Sequence, residues 1–288
     1  MRPASKSDIF CEILPVSQFL NHRQFNIWNC YSEHKSSYND RLHFHNFYEL
    51  SVIYEGSSDF LVNGSFFSMG KRSLQLIRPS DYHRQLTGPQ EHIRYFNLMF
   101  SAEFLSDTLV GELEKNPEPL CAAANPVDWA EIIRQVRKIY DVFTNDPNDI
   151  LSQIFIRNSV ELLCLFLLKH QIPSSRSLSG IPQEPIRKAV SYIQKNYRSD
   201  ISLANAARAA GLSPSYFSSV FHEAMGIPFA RYLTSYRLQI AERYLTASDL
   251  SIKQVANVCG FSSYPYFITA FREQFGLPPG AFRSAQKN

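Results

Sequence analysis
The sequence predicts an α+β chain of two domains: a small antiparallel β-barrel carrying a helical hairpin, followed by an all-α domain. Three observations lead there. Residues 9–100 break into short aromatic or β-branched segments punctuated by Gly, Asn, Asp and Pro, which is strand patterning. From residue 128 the apolar residues recur at three- and four-residue spacing, the period of a helix face. Residues 201–283 then say nearly the same thing twice, and an internal repeat marks a supersecondary unit used more than once. With 288 residues, 44% of them hydrophobic, the chain has the length for about two domains and their cores.

Taken in order, segments at 25–28, 42–54, 59–62, 65–69, 74–77, 83–86 and 93–100 read as strands, with Asn63-Gly64 as a hairpin turn. So many short strands in so short a stretch favour a barrel or jelly roll. One of them carries chemistry. His43, His45 and Glu49 fall on one face of a continuous strand, because side chains alternate along it. His83 follows Arg78-Pro79-Ser80-Asp81-Tyr82 on a later strand. This set, with Gly56 after it, resembles the cupin motif, whose enzymes hold a metal at four such positions. Three readings stay open: imidazole and carboxylate ligands for a divalent Mn, Fe, Ni or Zn ion, a polar effector pocket without metal, or hydrogen-bonded histidines that hold the barrel mouth. Arg72, Arg78 and Arg84 are either contacts for an anionic or hydroxyl-rich ligand or plain surface charges.

Between 128 and 170 two helices are expected, broken at Thr144-Asn-Asp-Pro-Asn148. The first carries Trp129, Ile132, Ile133, Val136, Tyr140 and Phe143 on one stripe. The second is apolar on most sides: Ile150, Leu151, Ile154, Phe155, Leu162, Leu165 and Phe166 on one stripe, with Ile156, Val160, Leu163 and Leu167 extending it. Such a helix needs cover on most sides. The barrel covers one side, and either the first helix or a second subunit covers the rest. Residues 171–185 (QIPSSRSLSGIPQEP) have linker composition and no apolar period.

The repeat follows. Ser202/Ser251, Ala207/Ala256 and Gly211/Gly260 pair at one offset, and Phe217/Phe267, Phe221/Phe271, Gly226/Gly276 and Pro228/Pro278 at an offset one residue longer. Each copy opens a short helix at a Ser, with Gln254 completing a capping box in the second. Each packs it through small residues and turns at a glycine suited to a left-handed C-terminal residue. A second helix then starts near Ser213 or Ser262-Ser263 and buries Phe217, Val220, Phe221 and Ala224, or Phe267, Ala270, Phe271 and Phe275. This is helix-turn-helix geometry, which offers its second helix to a DNA major groove. The helix between the copies (Phe229, Tyr232, Leu233, Tyr236, Ile240, Tyr244 and Leu245 inward) spaces the two reading helices, and successive grooves on one face of DNA lie about 34 Å apart. Charge agrees. Residues 1–180 carry 17 Lys and Arg against 20 Asp and Glu, while 181–288 carry 12 against 6, so the repeat lies in the half suited to phosphate.

From 186 to 283, and most plainly at Ser251-Ile252, Ala256, Gly260-Phe261-Ser262, Tyr266-Phe267, Phe271, Phe275-Gly276, Pro278-Pro279 and Phe282-Arg283, the chain resembles the AraC/XylS family of transcription regulators. The resemblance implies a cupin-like effector domain (1–127), a helical hairpin (128–170) through which family members dimerise, a linker (171–185) and a double helix-turn-helix domain (186–288). It also implies double-stranded DNA, a small-molecule effector and a second copy of the chain as partners, with RNA polymerase added for an activator. Subtracting the buried stripe leaves Ser215, Tyr216, Ser218, Ser219 and His222 outward in the first unit, and Tyr264, Tyr266, Ile268, Thr269 and Arg272 in the second. These match positions the family uses for DNA contacts. The first set has no Arg, Lys, Asn or Gln, so bidentate base readout is largely missing there. Hydroxyl contacts, Ile268 on a thymine methyl, phosphate anchoring and DNA shape are expected instead. Lys253, Arg272, the backbone amides of Ser202 and Ser251, and Arg237, which stands at the Arg position of the family's connecting helix, are the expected anchors.

Cys11, Cys30, Cys121, Cys164 and Cys259 are scattered, without a CxxC pair, so neither a disulfide framework nor a zinc ribbon is indicated. The start lacks a signal-peptide apolar core, and the longest strongly apolar run, 162–168, is short for a bilayer. The expectation is a cytoplasmic regulator, an activator answering to a carbohydrate or its derivative, with no catalytic residues. Its rivals are a metal-dependent cupin isomerase or oxygenase fused to a DNA-binding domain, and a regulator that needs no effector.

Overall fold
The structure is a computed structural model describing residues 12–13, 24–33, 43–45, 47–79, 81–88, 91–116, 118–177, 183–225 and 227–287. Gly226, residues 178–182 of the expected linker and nearly all residues before 24 lie outside that set. Chain contacts divide the molecule into a unit of residues 23–179 and a unit built on residues 180–288.

The strands of the first unit are β2 (Phe25–Glu33), β3 (His43–Phe44), β4 (Tyr48–Val62), β5 (Ser65–Gly70), β6 (Ser73–Ile77), β7 (His83–Leu86), β8 (His92–Phe100), β9 (Leu120–Ala123) and β10 (Arg176–Ser177); a two-residue β1 (Glu12–Ile13) precedes them in the chain. β4 is longer than either segment read from the sequence and belongs to two sheets. Its first half pairs antiparallel with β6 and β8, and its second half with β5 and β7. The register shifts between Ile53 and Glu55, and Gly56 follows at φ +74°. A Cβ on Gly56 would stand 1.9 Å from the His92 carbonyl oxygen, so the strand can bend from one sheet to the other only through glycine. The Asn63-Gly64 turn forms as expected, both residues at positive φ, with Val62 opposite Ser65.

Period-two alternation along β4 separates two cores. Leu50 and Val52, with Leu74, Leu76, Phe96 and Leu98, face the helices. Ile53, Ile77, Ile93 and Tyr95 face the barrel interior with Phe60, Phe67 and Met69. A short helix α1 (Asp107–Lys115) and β9 were not anticipated. The hairpin α2 (Pro126–Asn145) and α3 (Ile150–Lys169) was, and Asn125 and Asp149 cap its two helices. Ile132, Val136, Ile139, Ile156, Val160, Leu163 and Leu167 close over the sheet. The other stripe of α3, Ile150, Leu151, Ile154, Phe155, Leu162 and Leu165, stays 38 to 71% exposed. By length and composition α3 passes for a membrane span, with a mean hydropathy of 1.6. The run 162–168 understated this because polar residues interrupt the apolar positions.

The expected linker is partly structured. Ile172 donates its amide to the Cys121 carbonyl, Ser175 donates to the Phe66 carbonyl, and β10 pairs with β5 at Arg176↔Phe66. Exposed strand edges offer unpaired backbone groups, and any extended chain satisfies them whatever its side chains. Composition alone therefore misread 171–177, and at the far end Gln183–Pro185 already belongs to a helix.

The second unit comprises α4 (Gln183–Asn196), α5 (Leu203–Ala210), α6 (Pro214–Met225), α7 (Phe229–Ala247), α8 (Ile252–Val258), α9 (Tyr264–Phe275) and α10 (Pro279–Lys287). The pairs α5–α6 and α8–α9 are the two repeats. Both open on a capping box, the first with Asn205 in the third position, a residue outside the usual Glu or Gln pattern. Gly211, Gly260 and Gly276 all adopt φ between +72° and +83°. Phe217, Phe221, Phe267 and Phe271 are fully buried.

Candidate functional site
In the barrel, β4, β6 and β7 bring polar side chains to one cavity. His43, Glu49, Ser51, Phe60, Gln75, Ile77, His83, Gln85 and Tyr95 line it, with room for one or two water-sized bodies. The sequence named His43, Glu49 and His83 but missed Ser51, Gln75 and Gln85. Their signal was available: Ser51 lies two residues from Glu49, Gln85 two from His83 and Gln75 two from Ile77, each on the same side of its strand as that inward group. Gln75 is 2% exposed and its Nε2 has no hydrogen-bond acceptor among the described residues.

The histidines do not arrive on one continuous strand, as the alternation argument required. β3 ends at Phe44, His45 lies beyond it, and Glu49 belongs to β4. β3 meets β7 with His43 opposite His83. The convergence holds by a different route. Ligand atoms of His43, Glu49 and His83 lie within 4.8 Å of one another. His45 sits 2.8 Å from Glu49 Oε2 through Nε2, and its Nδ1 is 2.8 Å from the Phe47 carbonyl. Glu49 Oε2 is also 3.5 Å from His83 Nε2, and Oε1 accepts from Asn97 Nδ2 at 2.8 Å.

Protonation in this cluster is constrained by what carbonyls and carboxylates can do, which is accept. The Phe47 carbonyl fixes a proton on His45 Nδ1, leaving Nε2 to face the Glu49 carboxylate. Burial pushes the His45 imidazole below its ordinary value, against the hydrogen bond and charge of Glu49. Burial alone would raise Glu49, but hydrogen bonds from His45 and His83 hold it well below the usual carboxylate range. With Nδ1 protonated, His45 donates to Glu49 Oε2 at 2.8 Å only as an imidazolium, the ion pair that the Glu49 carboxylate favours; a metal ion beside both groups would replace that proton. The donor set, three imidazoles and one carboxylate, fits a divalent transition metal.

Arg78 is not a ligand contact. Its guanidinium is buried, pairs with Asp81, and donates to the carbonyls of Leu113, Asn116 and Glu118. Arg72 lies exposed at φ +77°.

On the second unit, Ser215, Tyr216, Ser218, Ser219 and His222 are exposed on α6, and Tyr264, Tyr266, Thr269 and Arg272 on α9, with Ile268 half-buried. Tyr266 is tied to the central helix, its hydroxyl 3.3 Å from Thr234 Oγ1. Thr269 donates back to the Pro265 carbonyl. Lys253 is exposed near the start of α8. Three expected anchors are committed within the protein. The Ser202 and Ser251 amides donate to Asn205 Oδ1 and Gln254 Oε1 in their capping boxes. Arg237 is half-buried and donates from Nε to the Tyr197 carbonyl at 2.8 Å and from Nη2 to the Ser199 carbonyl at 2.7 Å. Capping chemistry and loop carbonyls claim these donors, which a helix-face count cannot see.

Comparison with known proteins agrees with both halves. Residues 29–159 match the model of the AraC-like ligand binding domain, and residues 206–285 that of a helix-turn-helix domain. Among curated proteins, the uncharacterized HTH-type transcriptional regulator YfiF of Bacillus subtilis is 22% identical over 268 residues, spanning 91% of this chain and 83% of that one. The HTH-type transcriptional activator RhaS of Yersinia pestis is 25% identical over 247 residues, spanning 84% of this chain and 88% of that one. Among solved structures, ToxT from Vibrio cholerae aligns over 90% of this chain and 94% of its own at 15% identity, with a TM-score of 0.44. The curated relatives are transcription regulators, not enzymes. The chain belongs to the AraC family of DNA-binding transcription regulators and carries an effector-binding domain ahead of its helix-turn-helix domain.

Proposed function
We propose that the chain is a cytoplasmic, homodimeric activator in which a small hydroxyl-rich molecule in the barrel alters how α6 and α9 meet tandem DNA half-sites. One observation carries the DNA reading: in both repeats the second helix buries two phenylalanines fully, Phe217 and Phe221 or Phe267 and Phe271, with Phe275 half-buried at the end of the second, and leaves a polar or tyrosine-rich face in solvent. Residues 1–127 sense, 128–170 dimerise, and 186–288 bind DNA, with the 171–185 segment between them. Ser215, Tyr216, Ser218, Ser219, His222, Tyr264, Tyr266, Ile268 and Thr269 face bases or sugars, and Lys253 and Arg272 face phosphates. His43, His45, Glu49 and His83 hold the effector, and the cavity's hydrogen-bonding lining with Tyr95 and Phe60 beside it suits a carbohydrate or its derivative. A sugar is larger than the space present, so its entry widens the cavity. That supplies the difference in affinity between two states that any effector needs. An activating role, with RNA polymerase as partner, draws support from the relative described as an activator.

The test is selection of bound duplexes by the whole protein, with and without a panel of sugars. Enrichment of a paired motif with centres about 10 base pairs apart, altered by one sugar, is the expected outcome; an unpaired motif would remove the two-helix reading. Arg272→Ala should weaken all sequences alike and reduce the salt slope by about one. Tyr264→Ala should change preference at particular base pairs by about 1–3 kcal/mol, and a uniform loss would count against base contact.

A second reading is favoured by the gathering of imidazole nitrogens about the Glu49 carboxylate: a divalent metal ion held by His43, His45, Glu49 and His83. Metal analysis of the purified protein should then find close to one ion per chain, and Glu49→Gln should abolish it while the protein stays folded. No bound metal after loading at neutral pH would leave the effector pocket alone.

A further inference from the structure
The connecting helix α7 is about 28 Å long at 1.5 Å per residue, which fixes how far apart the two reading helices stand. Length does not fix rotation. Each helix-turn-helix unit packs on α7 as a small bundle, and one residue of slippage about that axis amounts to about 100°. Two grooves on one face of DNA need the rotation set as firmly as the distance.

The loop after α4 is where three elements meet. Ser199 donates its amide to the Asn196 carbonyl, folding 196–199 into a turn. Arg237, on the middle of α7, bridges the Tyr197 and Ser199 carbonyls of that turn. The Tyr197 ring stands edge-on to Tyr236 at 5.5 Å, and Arg198 Nη2 donates to the Tyr244 hydroxyl at 3.3 Å. From the other side comes the turn of the second repeat. Gly260, at φ +83°, lies so close that a Cβ would sit 2.3 Å from the Tyr197 carbonyl oxygen and 3.1 Å from the Arg198 backbone. The loop that joins α4 to the first repeat, the connecting helix and the second repeat's turn therefore meet at one stretch of backbone.

We propose that the Tyr197–Ser199 backbone is the junction that sets the angle between α6 and α9, with Arg237 and Gly260 as its positioning residues. Arg237 reaches two carbonyls at once because its guanidinium is a rigid fork; a lysine ammonium is a single point on a flexible stem. Gly260 is needed for contact as well as for its turn. With either replaced, the units still fold and each reading helix keeps its outward face, but the angle between them loosens. Arg237 then acts on DNA binding through geometry and not through a phosphate.

The inference rests on both helices reading DNA, and the experiment separates the two claims. The full-length protein is titrated with its selected operator, with half-operators, and with operators lengthened or shortened by one base pair between the halves. Wild type should lose about tenfold or more on a one-pair change, since simultaneous engagement depends on matched geometry. Gly260→Ala and Arg237→Lys should bind the intact operator about tenfold more weakly. They should keep wild-type affinity for half-operators, and discriminate spacing by only about twofold. The salt slope of Arg237→Lys, and of Arg237→Gln, should match wild type, because no phosphate contact is lost. Wild-type spacing discrimination in both variants would overturn the junction, as would an equal loss on half-operators and intact operators. A drop of about one in the salt slope of Arg237→Gln would return that residue to the phosphates. Wild type with no preference for the paired operator would remove the two-helix reading itself, and the junction's role with it.

Discussion

Asp81→Ala is expected to destabilise the β unit by about 3–5 kcal/mol, the cost of leaving a buried charge without its partner. Asp81 is fully buried, and it takes the Arg78 backbone amide and Nε on Oδ2 and Nη2 on Oδ1. Its Oδ1 also accepts from Asn63 Nδ2 at 2.6 Å. Arg78 in turn holds the carbonyls of Leu113, Asn116 and Glu118. The pair thus ties the β6–β7 turn to the β4–β5 hairpin and to the segment leading into β9. Without Asp81 the guanidinium stays among those carbonyls with no countercharge. Domains of this size are stable by about 5–15 kcal/mol, so the loss is a large share, about 10 °C in melting temperature. The sign with pH follows from the carboxyl. Burial alone would raise it, but the Arg78 charge and hydrogen bonds hold it below the ordinary value. A depressed folded pKa means stability that is present above the unfolded value of about 3.9 and lost as pH falls through the folded one. Urea or thermal unfolding of the whole protein from about pH 5 down to about pH 2 should show that loss in wild type and not in Asp81→Asn. A change under about 1 kcal/mol in Asp81→Ala at pH 7, where a neutral hydrogen bond alone would account for it, would refute a buried ion pair.

The two halves of the chain were legible to different depths for physical reasons. Helix-turn-helix order depends on local features: a serine cap, small residues at a crossing, a glycine at positive φ and an i, i+3, i+4 stripe. All are written within a few residues of one another, and α5–α6 and α8–α9 follow them closely. β9 was invisible because Leu-Cys-Ala-Ala fits a helix as well as a strand, and only pairing with β6 decides. Convergence of His43, His45, Glu49 and His83 was expected from spacing, yet the path differs, since the break between β3 and β4 has no signature in alternation. Arg237 shows the limit most clearly. Its place on the outward side of a helix says it has a cation to offer, but the Tyr197 and Ser199 carbonyls that take it are forty residues away in sequence.

A double variant, Leu151→Glu with Leu162→Glu, is expected to make the protein monomeric and to lower occupancy of a two-copy operator by about 10²–10⁴-fold, the gain that linking two binding modules gives. The basis is the uncovered stripe of α3. Leu151, Ile154, Asn158, Leu162 and Leu165 recur at steps of three and four, the spacing of a coiled-coil seam. Asn158, exposed in the middle of it, is the kind of polar residue that fixes register at such a seam. The opposite face of the same helix is already committed, Ile156, Val160, Leu163 and Leu167 being 2% exposed or less. That packing argues against lipid as the cover despite the hydropathy of the helix, because a spanning segment would have to strip those residues from the barrel. A monomer rarely leaves so contiguous an apolar surface in water, and a second copy of α3 offers the matching one by symmetry. Light scattering or sedimentation at micromolar concentration decides it. Wild type should run as a dimer and the double variant as a monomer that keeps the wild-type circular dichroism, since the substituted side chains lie in solvent in the single chain. A dimeric double variant would place the contact elsewhere. A monomeric wild type that binds the paired operator as tightly as expected would leave the tandem helices of one chain to do the work alone.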